Sequence, residues 1–119
     1  VTVLVSFSGS ATMAWILVIV AGLFEVAMAL CLKASKGFTQ PLESAGFLVF
    51  AVASFGLLTV ALKHLEVGTA YAVWVGIGAV GTATLGMLVM GDEVSATRIV
   101  ALALIVLGVV GLNLAGGGH

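Results

Sequence analysis

The chain has 119 residues, of which 62% are hydrophobic and 8% charged, with a formal net charge of −1 and a mean hydropathy of +1.35. A water-soluble domain carries about 25% charged residues, so this composition excludes a solvated globular surface and selects lipid as the solvent. There is no basic tract to bind nucleic acid, and a single cysteine, Cys31, rules out an intrachain disulfide.

Residues 1–12, VTVLVSFSGSAT, lack the basic segment of a secretory signal and precede Met13-Ala14-Trp15, which reads like a start. They are expected to form a leader or tail of uncertain order. The first apolar stretch covers about residues 13–32 and is interrupted only by Glu25. A polar loop follows with Lys33, Lys36, Gly37, Gln40, Pro41 and Glu43. Pro41, the only proline, is expected to lie outside any span as a breaker at a turn. The second stretch covers 44–62 and ends at Lys63-His64-Leu65-Glu66. The third covers 69–90 and ends at Gly91-Asp92-Glu93, and the fourth covers 98–115, before a glycine tail at 116–119 that ends in His119.

Each stretch has roughly 17–22 residues, enough to cross an apolar layer about 30 Å thick at about 1.5 Å per residue. Lipid cannot satisfy an open sheet edge, so the stretches are helices. The fold class is therefore an all-α membrane protein of four transmembrane helices, with short loops that make successive helices antiparallel neighbours. Lys33, Lys36 and Arg98 fall on one side of the membrane and Lys63 on the other. This bias weakly favours a cytoplasmic location for the first and third loops and leaves insertion in both orientations open.

Glu25, in GLFEVAMAL, is the strongest chemical signal. An acidic residue at the centre of a spanning helix costs about 2.5–3.5 kcal/mol, and apart from Arg98 at the very start of the fourth, no Lys or Arg lies inside any stretch to offset that cost. Two readings stand: a neutral acid hydrogen-bonded across a helix interface, or a carboxylate that alternates between a proton and a cation. Tyr71 and Trp74 lie three apart on one face of the third helix. They are either interfacial belt residues or aromatic faces that attract a cation. Ser54 lies near the middle of the second stretch, where its hydroxyl can bond its own helix. Gly76 and Gly78 serve either close packing or a hinge. Ala101, Leu104, Ile105, Gly108 and Gly111 form a stripe suited to helix association, between subunits as one option. His64 has no second histidine or cysteine nearby, so no metal or cofactor site is expected, and Asp92-Glu93 reads as a solvated pair.

As a set, AGLFEVAMALCLKASKGFT, ASFGLL, VGTAYAVWVGIGAVGT and RIVALALIVLGVVGL resemble the small multidrug resistance family of bacterial proton-coupled exporters over about residues 13–115. The third segment is most similar to its guanidinium-exporter branch. The resemblance implies an antiparallel homodimer, or a heterodimer of paired chains, in the inner membrane. It implies no enzymatic activity and no cofactor, with a small cation and protons as ligands. It makes Glu25 the shared site for proton and cation, Gly22 the small residue one turn before it, and Ser54 the hydroxyl that orients the carboxylate. It also makes Tyr71 and Trp74 the pocket aromatics, Gly76 and Gly78 the helix kink, and the fourth-helix stripe the dimer seam. One position departs from the branch: Met28 stands where guanidinium exporters typically carry tryptophan. A partner subunit could supply that indole, and an aromatic-cation exporter is the alternative within the family. Outside it, the rivals are a proton-conducting subunit, which also buries one carboxylate in an apolar helix, and a structural or assembly subunit with no transport of its own.

Overall fold

A computed structural model describes the backbone of residues 2–117 and the side chains of residues 12–115. It contains four α-helices in chain order: α1 Thr2–Ala34, α2 Pro41–Ala61, α3 Val67–Val89 and α4 Ala96–Leu112. A π-helical turn, Asn113–Gly117, follows α4. All four helices are long and apolar enough to cross a membrane.

Helix α1 does not start at Met13. Its backbone is helical from Thr2, through the segment expected to be a tail, because no proline breaks the main-chain ladder there. The part apolar enough to span is Thr12–Ala34. Gly118 and His119, the end of the expected tail, lie outside the described residues. Pro41 is also used differently from expectation. It sits at the first position of α2, where its missing N–H costs nothing and its fixed φ suits the helix, with Glu43 in the same first turn. Between α1 and α2 the chain turns through Lys36, Gly37 and Phe38, all at positive φ. Ser35 holds this turn by donating from Oγ to the Leu32 carbonyl (2.7 Å) and accepting from the Phe38 N–H (3.1 Å). Helix α4 begins two residues before the expected span because Ser95 caps it, its Oγ accepting the Arg98 N–H at 3.2 Å.

Helix α1 is the centre of the bundle, with α2 and α3 packed against it. Ala14, Val18 and Ala21 form a fully buried stripe at helical spacing. It meets Leu58 and Ala61 of α2 and Ala70, Val73 and Trp74 of α3. Small residues let the backbones approach closely, which drives helix association in lipid. At Gly22 a Cβ would lie 2.7 Å from Ile77 Cγ2, and at Gly81 it would lie 2.6 Å from Val26 Cγ2, so the α1–α3 contact depends on both glycines. Helix α4 rests on α3 alone and has no buried residue.

Candidate functional site

Glu25 lies on the α3-facing side of α1. Its Oε1 is buried and has no hydrogen-bond partner among the described residues. An orphaned buried polar atom is costly, so this oxygen sets Glu25 apart from the polar side chains around it. The carboxylate is in direct contact with Gly78 of α3, at the place a side chain would fill. Gly78 thus makes room for the acid. Through Gly76 and Gly78 the α3 helix is continuous. A Cβ at Gly76 would meet Val109 Cγ2 of α4 at 2.7 Å, so Gly76 serves the α3–α4 approach.

A cavity of about 410 Å³ opens beside Glu25, and Met28, Gly78, Thr82, Asp92 and Arg98 also line it. Met28 lies within one turn of Glu25 on the same face of α1. Its thioether gives the cavity soft apolar volume and no N–H donor. On the opposite wall Val75, Gly78, Ala79, Thr82 and Ala83 follow the i, i+3, i+4, i+7, i+8 pattern of a single helix face.

The other expected site residues form a second group. Trp74 is 3% exposed, and its Nε1 donates to Ser54 Oγ at 2.9 Å. Ser54 in turn donates to the Ala21 carbonyl of α1 at 2.6 Å. The hydroxyl therefore does not bond its own helix, and its proton goes to the α1 main chain rather than to Glu25. Tyr71 stacks at a tilt on Trp74, with ring centroids 5.4 Å apart, and is itself 53% exposed. Because Ala21 lies one turn from Glu25 on the same helix face, this relay ties α2 and α3 to the part of α1 that presents the carboxylate. Buried Gly22, next to Ala21 in α1, lies against Ile77 of α3. By contrast, Thr59 bonds its own helix, at the Phe55 carbonyl (2.8 Å). In the stripe of Ala101, Leu104, Ile105 and Gly108 no residue is buried within the chain, although Ile105 approaches Gly76 of α3; Leu104 is 62% exposed.

Sequence reasoning missed Asp92, Arg98 and Thr82 as cavity residues. The face that runs from Gly78 through Thr82 to Gly86 was the available signal. Asp92 packs on Gly86, where a side chain would collide with its carboxylate, and its N–H donates to the Gly86 carbonyl at 3.0 Å. Gly91, at φ +76°, provides the turn that brings it there. Asp92 Oδ1 lies 3.9 Å from Lys33 Nζ, the one ion pair among the described residues.

A family model described as Small Multidrug Resistance protein matches residues 13–105. The chain is 52% identical over 103 residues to a protein named guanidinium exporter from Yersinia pseudotuberculosis, covering 87% of this chain and 99% of that one. Guanidinium exporters from Proteus vulgaris and Citrobacter freundii are 47% and 46% identical over the same length, covering 99% and 98% of those proteins.

Proposed function

The chain belongs to the small multidrug resistance family, and from that premise we propose that it is a proton-coupled antiporter exporting guanidinium or a small guanidinyl or quaternary-ammonium cation. It is a multi-pass protein of the bacterial inner membrane. The observation that carries the reading is the buried, unpartnered Oε1 of Glu25 beside an open cavity. A deprotonated Glu25 holds the cation by charge, and a planar guanidinium offers paired N–H donors that match a carboxylate two at a time. A proton neutralises the same group and releases the cation. Coupling follows because the site cannot hold both ligands at once.

Trp74 and Tyr71 contribute aromatic surface, and Ser54 positions α1 through the Ala21 carbonyl. Gly76 and Gly78 are proposed as the place where α3 bends when the site changes sides. The working unit is an antiparallel dimer with the Ala101, Leu104, Ile105 and Gly108 stripe of α4 as its seam, which accounts for an apolar helix with no fully buried residue in its own chain.

Competition at Glu25 has a sign. As pH falls the carboxylate is protonated and loses its charge, so cation affinity falls with it. Guanidinium isotherms on purified protein, measured from about pH 5 to 9, should show the dissociation constant rising toward acid. A constant that does not change across that range excludes a shared site.

Met28 favours one further reading, an exporter subunit in a heterodimer whose partner supplies an indole at this wall. The weak charge bias favours dual insertion and hence a self-sufficient homodimer. A C-terminal topology reporter is expected to signal from both sides of the membrane, with transport by the chain expressed alone. Signal from one side only, and transport only with a second chain, would establish the heterodimer.

A further inference from the structure

Asp92 lies in the loop between α3 and α4, a place where an acidic residue is ordinarily solvated and without consequence. Here the loop folds back. Gly91 turns the chain, buried Gly86 leaves room for the Asp92 carboxylate, and the Asp92 N–H is tied to the Gly86 carbonyl. The result places Asp92 and Arg98 on the wall of the same cavity as Glu25, and Lys33 at the end of α1 pairs with Asp92.

Two positive charges neighbour Asp92: Arg98 shares the cavity wall with it, and Lys33 Nζ lies 3.9 Å from its Oδ1. Besides Glu25, Asp92 is the other carboxylate lining this cavity, and it is the one placed to offset them. The Lys33–Asp92 pair is long, at 3.9 Å, and exposed on both partners, so it exchanges readily with solvent and with other cations. Low-dielectric walls focus the field of such charges along a cavity.

We infer that Asp92 is a specificity-determining residue for cation access: it sets the electrostatic potential at the mouth of the Glu25 cavity against the fixed charges of Lys33 and Arg98. The inference rests on the cation-export reading. It adds to that reading a residue that controls how readily a cation reaches the carboxylate, without itself being the site of exchange.

Guanidinium uptake into proteoliposomes, measured as KM and kcat at several ionic strengths, tests it. Asp92→Asn leaves two unopposed positive charges. It should raise KM roughly three- to tenfold at low salt with kcat within about twofold. Lys33→Gln should lower KM, and the double variant should return near the unmodified value. Every shift should shrink as the Debye length falls from about 30 Å at 0.01 M to about 8 Å at 0.15 M. A merely structural Lys33–Asp92 latch would move both single variants in the same direction, independently of salt, and that result overturns the inference. Asp92→Asn with unchanged KM and salt dependence overturns it as well. If the unmodified protein moves no guanidinium or alkylguanidinium at all, the export reading has failed and the inference fails with it.

Discussion

Glu25→Gln is expected to reduce transport to background while leaving expression and helix content unchanged. The substitution keeps the shape of the side chain, and its contact with Gly78 of α3. On the proposed mechanism it removes the charge that holds a cation and the group that releases a proton. Truncating one partner of a buried charge pair costs about 2–5 kcal/mol, roughly 30- to several-thousandfold in affinity. Under that mechanism the loss of proton exchange removes the driving force in addition. Proton-driven uptake into proteoliposomes measures the result, and circular dichroism on the same preparation measures the fold. Activity near the unmodified level would remove Glu25 from the centre of the mechanism.

Gly78→Ala is expected to have nearly as large an effect by a different route. The added methyl would occupy the position of the Glu25 carboxylate. The displaced atoms are the end of a flexible side chain, so the helices can stay in register while the acid swings away. Alanine also gains about 1 kcal/mol of helix propensity over glycine. Thermal stability should therefore change little, while guanidinium transport falls roughly tenfold or more, as misplacement of a reacting group predicts. Gly56→Ala is the control, because nothing lies within 4 Å of the Cβ it would add. It should leave transport intact. If both variants behave alike, the close seating of Glu25 on Gly78 has no functional weight.

The parts of the molecule legible in the sequence were those in which one residue contradicts its surroundings. Charges divide the apolar chain into four stretches, and all four are helices. Glu25 stands out because it is acidic among apolar neighbours, and its orphaned oxygen shows the same misfit in three dimensions. Other features depend on how helices are registered against one another, which a linear pattern does not encode. Nothing in the spacing says that the Ser54 hydroxyl would reach across to Ala21 rather than back along its own helix. Nor does it say that Trp74 would donate to Ser54. Asp92 was read as solvated because its position depends on two backbone facts, the positive φ at Gly91 and the space over Gly86. Pro41 was placed outside the helix because a proline marks a boundary without saying on which side of it the residue falls.

Helix α4 packs on α3 and has no fully buried residue of its own. Under the proposed dimer, most of what holds this helix in place belongs to a second chain. That gives the protein a property set by the membrane as much as by its own residues. Encounters between chains in a bilayer follow mass action in two dimensions, so the active fraction depends on how much lipid each chain is diluted into. At high lipid-to-protein ratios α4 faces acyl chains, and apolar side chains gain little by leaving them, because lipid tails are as apolar as leucine. Transport per chain should then rise with the surface density of the protein. The cell can thus set its export capacity through the rate of synthesis more steeply than in proportion to it.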